Sequence, residues 1–348
     1  MTMPLEQVLC LSTPRSLNKR QTLRIHRNVL KEYKKVILFH AFFKYLFLAL
    51  FILQGVGLLL FYTEPAIFAL QLGVLCLSIF TYFILHFYFQ AKKPDQFIQL
   101  KKRFIEACRK GISIPKGTAE HHLVIAQHLM HFIAHLHRFE NNNYELSKHS
   151  IFFLSIFQKL SFYLHTEDYF KIKELFYFAA IEEHMQQIRV TPTDLEVHAS
   201  LANCYVAIAK MYMDAKQFLE NKNSRLLRKY EEYLGEKLDF ASKRAVEEFH
   251  IINEFAPNDL WVHAQLAHCY QVLERFEDEA AEYEKILEIR PHDQEIRFRL
   301  AKILFSLGQN AKALKHYDWL KQNKYKKADA LLEEYNAAKL SELFDVIF

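Results

Sequence analysis

The chain has 348 residues, of which 51% are hydrophobic and 15% aromatic. Only seven glycines and eight prolines occur, which argues against a sheet-rich fold with many turns, and no GxxxxGK, GxGxxG, HExxH or GxSxG motif is present. Five cysteines without CxxC spacing indicate reduced packing residues in a cytosolic setting. The composition therefore favours an all-α protein that is not an enzyme and needs no cofactor.

The net charge of +5 is unevenly distributed along the chain. Residues 1–35 contain eight Lys or Arg against two acids, and residues 36–116 contain nine against three, so the rest of the chain carries a net −7. A basic segment beside a membrane is attracted to anionic lipid, which explains this charge better than nucleic acid does. Ser16–Lys35 is accordingly predicted either as an interfacial amphipathic helix or as a topology signal alone.

Two long apolar stretches, Val36–Tyr62 and Ala66–Phe89, follow the basic cytoplasmic segment 1–35 and are separated by only three residues. A helix needs about 20 apolar residues to cross a bilayer, and both stretches exceed this length. The sequence therefore predicts a transmembrane hairpin at residues 36–89. The alternative is a pair of buried helices in a soluble core.

The orientation of the hairpin follows from its flanking charges. Lys and Arg lie on the terminal sides of both stretches, whereas Thr63, Glu64 and Pro65 at the tip include none. Cytoplasmic flanks of membrane helices carry the excess of Lys and Arg. The pattern predicts a multi-pass integral membrane protein with both termini in the cytoplasm. A cleaved signal peptide is not expected, because the first stretch starts late and leads into a second one.

Residues 90–165 are predicted to form a membrane-proximal helical region, with helices at Pro94–Lys110, Thr118–Arg138 and Tyr144–His165. The second helix carries His121, His122, His128, His131, His135 and His137. At 100° per residue, four of these fall within about 80° of one another, namely His121, His128, His131 and His135. A metal site or pH-sensitive packing is conceivable. No carboxylate or cysteine accompanies the stripe at ligand spacing, so we predict ordinary packing and no metal.

A block near residue 200 recurs type for type near residue 265. The first copy comprises Leu195, Val197, His198, Ala199, Leu201, Ala202, Cys204 and Tyr205, and the second comprises Leu260, Val262, His263, Ala264, Leu266, Ala267, Cys269 and Tyr270. A third, weaker copy opens at Gln294, 34 residues after Leu260. A fixed period of this length is the signature of stacked helical repeats.

The second copy resembles the tetratricopeptide repeat, a helix–turn–helix unit of 34 residues. The resemblance rests on Leu266, Ala267, Tyr270, Phe276, Tyr283, Leu287 and Pro291, and in the next unit on Leu300, Ala301, Gly308, Ala313 and Tyr317. It implies an all-α protein in which the transmembrane hairpin is followed by an α-solenoid of tetratricopeptide-like helical pairs.

The array is predicted over residues 166–348. It consists of a degenerate unit at 166–192, a unit at 195–257, units at 260–291 and 294–325, and a C-terminal capping helix at 327–348. In the unit at 195–257, Tyr205 and Ala245 stand 40 residues apart, where the family has nine. We interpret the 31 extra residues as an inserted helix near 213–234.

Arrays of this family bind peptides along a concave face lined by their opening helices. The resemblance implies a partner-binding groove that contains Asn203, Trp261, His268, Gln271, Phe298, Arg299 and Lys302. Family members that clamp a C-terminal carboxylate use two lysines where this chain has Ala199 and Glu295, so such a clamp is not expected. Trp261 and Phe298 favour an amphipathic helix or an extended peptide as the ligand.

These features predict a membrane-anchored adaptor or scaffold that presents a tetratricopeptide groove to the cytoplasm. Its partners are a protein or peptide in the groove and membrane lipid at the hairpin and its basic flanks, with no nucleic acid. Two alternatives stay open. The paired apolar stretches resemble those of inclusion-membrane proteins of intracellular bacteria, which suggests membrane remodelling, and the histidine-rich helix suggests a metal-binding membrane protein.

Overall fold

The computed structural model of the protein describes residues 19–145, 152–220, 228–333 and 335. Within these residues the long elements are α-helices, and no strand is present. In chain order they are α1 (Lys19–Leu60), α2 (Pro65–Gly111), α3 (Ala119–Glu145), α4 (Phe152–Val190), α5 (Leu195–Glu220), α6 (Arg228–Phe255), α7 (Leu260–Val272), α8 (Phe276–Ile289), α9 (Gln294–Ser306) and α10 (Asn310–Gln322). The chain divides into two compact units, one up to Val190 and one from Thr191 onward.

In the first unit, α1 and α2 both extend beyond the apolar stretches. α1 continues without a break at residue 35, and α2 passes through Pro94, where the sequence predicts a new helix. A proline inside a helix removes a backbone hydrogen bond and costs about 3 kcal/mol. Phe97 and Leu100 are each 4% exposed just beyond it, and their burial offsets this cost.

Each of these two helices has an exposed apolar half and a buried half. Near the α1–α2 connection Leu59 is 76% exposed and Leu70 is 71% exposed, whereas Tyr33 and Phe104 at the opposite ends are fully buried. Both helices are long and apolar enough to cross a membrane by length and composition. The change from exposed to buried side chains occurs within single, continuous helices.

The buried halves pack with α3 and α4 around aromatic side chains. The rings of Phe104, Phe132 and Phe176 lie 4.7 to 5.4 Å apart between centroids. Tyr33 of α1 lies 5.8 Å from Phe97 and 5.5 Å from Tyr169 of α4. Four helices therefore contribute to one core.

This core corrects the prediction of an interfacial helix at Ser16–Lys35. The apolar side of that segment is covered by protein, because Val29 is only 6% exposed and Tyr33 is fully buried. The outward side keeps its basic residues, and Arg103 of α2 pairs with Glu32 at 3.1 Å.

Two polar links hold α4 in place. Lys93 of α2 forms a buried ion pair with Asp168 of α4, and Glu183 of α4 accepts from Arg109 at 3.1 Å and contacts His122 of α3 at 2.6 Å. Removing one partner of a buried ion pair leaves an uncompensated charge and costs about 3–5 kcal/mol. The first link lies at the end of the exposed apolar half of α2.

The structure joins two helices that the sequence separates. The helix predicted at Tyr144–His165 ends before the degenerate repeat predicted at 166–192, but residues from Phe152 to Val190 form the single helix α4. The stretch 166–192, which the sequence assigns to a degenerate repeat, is thus largely the second half of α4 and belongs to the first unit by its contacts.

The second unit is built from consecutive helix pairs, α5/α6, α7/α8 and α9/α10. α7 and α9 begin 34 residues apart, and each is capped by an aspartate, Asp259 or Asp293, whose side chain accepts from a backbone N–H in the first turn. The small residues predicted at the contact between paired helices, Ala202, Ala267 and Ala301, are all fully buried.

The first pair departs from the others in length. α5 has 26 residues and α6 has 28, whereas α7 has 13 and α8 has 14. The inserted helix predicted near 213–234 is therefore wrong: the extra residues lengthen both members of the pair. Residues 221–227 between them lie outside the described residues.

A histidine at the same repeat position joins the helices of the first two pairs. Nδ1 of His198 lies 2.7 Å from Glu248 and its Nε2 lies 3.1 Å from the carbonyl of Pro192. His263 repeats both contacts, with Glu282 at 2.6 Å and the carbonyl of Pro257 at 2.8 Å. In both pairs, each ring nitrogen of the histidine therefore lies within hydrogen-bond distance of an oxygen, one from a carboxylate and one from a backbone carbonyl.

The third pair keeps this geometry with different residues. Arg297 occupies the histidine position, donates to the carbonyl of Pro291 at 2.7 Å, and lies 3.0 Å from His316 at the glutamate position. Beyond α10, residues 328–333 are helical, and Ala328 and Leu331 pack on the last pair. Most of the capping helix predicted to residue 348 lies outside the described residues.

The buried alanines give a direct test of the repeat register. We expect Ala267→Leu to destabilise the protein by about 1–3 kcal/mol, because the added atoms overpack a closed helix contact. Ala264→Leu, on the exposed side of the same helix, is the matched control and should change stability little. Thermal unfolding followed by circular dichroism measures both, and equal effects would contradict the register.

Candidate functional site

The opening helices α5, α7 and α9 lie side by side in the second unit. His268 of α7 is close enough to Lys210 of α5 and Arg299 of α9 to feel the charge of both. We call the surface formed by these three helices the groove. It contains all seven residues that the resemblance assigns to partner binding.

The two predicted aromatic anchors, Trp261 and Phe298, pack against different parts of the second unit. Trp261 is 36% exposed, and its ring stands edge-on to Phe249 of α6 at 5.6 Å. Phe298 lies 5.6 Å from Tyr325, beyond α10, and packs partly against the core. Each ring therefore has a structural contact as well as an exposed part, and the structure does not bring the two together.

The polar residues in the middle of the groove are half-buried or exposed. Burial lowers the pKa of His268, and the charges of Lys210 and Arg299 act in the same direction, against a hydrogen bond with Gln271. Gln271 is exposed, and the Oδ1 of Asn203 is buried without a hydrogen-bond partner in the described part of the chain. His268 is thus a neutral imidazole between two cations.

Arg299 is largely committed to contacts within the protein. It donates to Glu295 at 3.4 Å and hydrogen-bonds Tyr283, and Tyr325 donates to the same Glu295 at 2.7 Å. These contacts lower the pKa of Glu295, with the hydrogen bond from Tyr325 as the main cause. Lys302, the last of the predicted residues, is exposed on α9.

A shallow pocket that sequence reasoning missed opens beside His268. It is open to solvent and is lined by Val206, Ala209, Lys210, Met213, Ser242, Ala245, His268, Cys269 and Val272. Ser242 is 2% exposed, and its Oγ has no hydrogen-bond partner among the described residues. The pocket therefore combines apolar walls with a cation at Lys210 and an unused hydroxyl.

The pocket lies where α7 ends and the longer first pair continues. α7 ends at Val272, whereas α5 passes the equivalent residue, Ala207, and continues to Glu220. Lys210 and Met213 belong to this continuation. Sequence reasoning placed residue 213 in an inserted helix, so it had no signal that would bring these side chains next to α7.

Glu279 is a buried carboxylate at a position where the family usually has alanine. It is 1% exposed and its Oε2 has no hydrogen-bond partner among the described side chains. Burial raises the pKa of Glu279 to about 7, although a hydrogen bond with Tyr283 and the charge of Arg299 oppose this shift. The carboxyl is thus partly protonated at neutral pH, beneath the groove.

The described residues contain no group of three or more His, Cys, Asp or Glu side chains arranged to hold a metal ion. His121, His128 and His131 face the core of the first unit rather than a common ion. The side chain of His137 lies outside the described residues.

The architecture defines an all-α protein whose second unit is a helical repeat of 34-residue period. No family model matches the chain, and no curated protein matches it.

Two solved structures show a weak likeness to this chain. One, titled MamA MSR-1 C2, is 21% identical, covers 45% of this chain and 88% of its own, and gives a TM-score of 0.23. The other, a monomeric mutant of IFIT1 with Gppp-AAAA, is 16% identical, covers 98% and 92%, and gives a TM-score of 0.32. Both TM-scores are too low to define the fold, and the helix pairs themselves define the repeat.

Glu279 generates a prediction about pH. Its carboxyl ionises near pH 4.5 in the unfolded chain and near pH 7 in the folded one, so its contribution to stability is present below pH 4.5 and is lost as the pH rises to 7. Glu279→Gln should therefore raise stability at pH 8 by about 1–3 kcal/mol. Urea unfolding at pH 5 and pH 8 measures this, with Glu277→Gln, an exposed residue of the same helix, as the control. An equal effect at both pH values would contradict the assignment.

Proposed function

We propose that the protein is a membrane-anchored scaffold that binds a protein or peptide segment in the groove of α5, α7 and α9. The observation that carries the anchor is the change along α1 and α2 from exposed apolar side chains to a buried core. A soluble helix pair would leave a large apolar surface in water, which soluble proteins rarely do.

Polar contacts within the hairpin fit this anchor. Gln54 is 7% exposed and donates to Ser78 at 2.7 Å, so these polar groups face the partner helix rather than lipid. Gly57 lies against the side chain of Gln71, where a Cβ would collide with its amide. Small residues and interhelical hydrogen bonds of this kind support helix pairing in bilayers.

The excess of Lys and Arg on the terminal sides supports a cytoplasmic location for both termini. Lys92 and Lys93 directly follow the apolar half of α2, and Lys92 lies over the ring of Tyr88 at 5.5 Å. Aromatic and basic residues are typical of the membrane–water interface. We place this interface near residue 90 on α2.

The pocket beside His268 supports a specific ligand chemistry. Its walls are mostly apolar, which favours contact with an apolar side chain, and Lys210 provides a positive charge at the rim. We infer that the groove accepts a segment in which an apolar residue stands next to an acidic one. Arg299 is engaged by Glu295, and Lys210 is the cation that lines the pocket, so we propose Lys210 as the residue that selects for this acid.

The topology is tested with reporters. An enzyme that is active only outside the cytoplasm should work when inserted after Glu64 and be silent when fused at Phe348, because the charges that set orientation lie on the terminal sides. A cytoplasmic reporter at the same two sites is the control and should give the reciprocal pattern. Activity of the first reporter at Phe348 alone would reverse the topology, and equal activity at both sites would contradict a hairpin.

The groove is tested with peptides selected against the full-length protein from a random display library. Enriched sequences should pair an apolar residue with Asp or Glu. Trp261→Ala and Phe298→Ala should each lower the affinity for the selected peptide by about thirtyfold, which corresponds to the loss of a hot spot of about 2 kcal/mol. Lys210→Glu should abolish the preference for acidic residues.

Two controls separate binding from folding. Lys312→Glu reverses an exposed charge on α10, away from the opening helices, and should leave binding unchanged. Because Trp261 and Phe298 also pack on Phe249 and Tyr325, circular dichroism must show that each variant is folded. Folded groove variants that bind like the wild type would place the function outside the groove.

A further inference from the structure

Four imidazoles from α1 and α3 meet in the core of the first unit. The ring of His26 lies 6.4 Å from His128 and 6.2 Å from His135 between centroids. His131 lies on α3 between these two and also acts on His26 electrostatically. We call these four residues the histidine cluster.

Aromatic side chains cover His26 and His128, whereas His131 is half-buried and His135 lies exposed at the edge of the cluster. His26 is 6% exposed and lies 5.6 Å from both Phe104 and Phe132, and His128 is 1% exposed. The Nε2 atoms of His26, His128 and His131 are buried without a hydrogen-bond partner among the described residues. No acceptor is therefore in place for the additional N–H that protonation would create at these atoms.

Charged groups on the surrounding helices are engaged elsewhere or lie outside the core. Glu183 of α4 pairs with Arg109 and His122, and the charges that act on His26 are those of the other three imidazoles. The remaining charged neighbours are half-buried or exposed, namely Arg24, Arg27, Lys101, Arg103, Lys173 and Glu174. Among the described residues, the charges that act on His26 are thus those of other imidazoles, and none is that of a carboxylate.

Burial therefore holds the imidazoles of His26 and His128 neutral. It lowers the pKa of His26 to about 3, and the neighbouring histidines lower it further. Burial and His131 together lower the pKa of His128 to about 4. Once exposed to water, the same rings would titrate near pH 6.5.

We propose that the histidine cluster makes the contact between α1 and α3 acid-sensitive, so that proton uptake separates the first half of α1 from α3. The neutral rings favour the closed core above pH 6.5, and this contribution is lost as the pH falls below 6.5, because only the separated helices bind protons. At pH 5, His26 alone lowers the ratio of closed to separated form on the order of thirtyfold. The consequence is a membrane-proximal core that opens under mild acid, independently of any ligand in the groove.

The test is hydrogen exchange of the full-length protein in lipid nanodiscs at pH 7.5 and pH 5.0, corrected for the intrinsic exchange rate. We expect protection of residues 22–37 and 121–136 to fall at least tenfold more than that of residues 262–270. His26→Phe replaces the ring with an apolar one among phenylalanines and should reduce this acid response on the order of thirtyfold, leaving the part that His128 contributes. His292→Phe, an exposed histidine on another unit, should keep it.

A second measurement requires no variant. Exchange at the imidazole C2 position of the wild-type protein reports the protonation of each histidine, and His26 and His128 should stay neutral at pH 6. An unchanged α1–α3 contact at pH 5, or the same response in His26→Phe, would overturn the proposal. Added Zn²⁺ at pH 7.5 could also slow hydrogen exchange at these residues. If His26→Phe removes that effect, the imidazoles are metal ligands and the proposal is overturned.

Discussion

Unbroken backbone hydrogen bonding along α1 and α2 is the constraint on which the first unit depends. A segment in hydrocarbon must satisfy every N–H and C=O group internally, which a continuous helix does. Both helices continue past their apolar halves without a break. The orientation of each apolar half therefore also sets the orientation of the buried half on which α3 and α4 pack. The ion pair of Lys93 and Asp168 holds α4 to α2 at this transition.

Histidine has opposite roles in the two units. In the first, neutral rings without hydrogen-bond partners lie among aromatic side chains. In the second, burial lowers the pKa of His198, but its bonds to Glu248 and to the carbonyl of Pro192 outweigh burial and raise the pKa above its ordinary value. His198 therefore stabilises below pH 6.5 and loses this effect as the pH rises through its raised pKa, whereas His26 stabilises above pH 6.5. Acid therefore weakens the contacts of His26 while it preserves those of His198.

The sequence predicts best where one local pattern decides the outcome. The recurrence of Ala202 and Ala267 predicted the helix pairs and their register, because a small side chain at a helix contact acts within a few residues. The insertion near 213–234 and the break at 166–167 were mispredicted, because polar residues are compatible with a longer helix as well as with a loop. His26 was missed because only tertiary packing brings α1 to α3. The groove residues were placed on the opening helices, but their contacts depend on neighbours beyond the repeat.

The most specific part of the groove arises where the repeat is broken. A regular array gives every opening helix the same length, so that each presents an equivalent face. Here α5 and α6 are longer than α7. Lys210 and Met213 therefore line a pocket beside the end of the shorter helix. The repeat supplies the stable surface, and the departure from it supplies a pocket with a charge and a hydroxyl. Selectivity for a ligand would therefore follow from the length of the first pair, which no repeat consensus encodes.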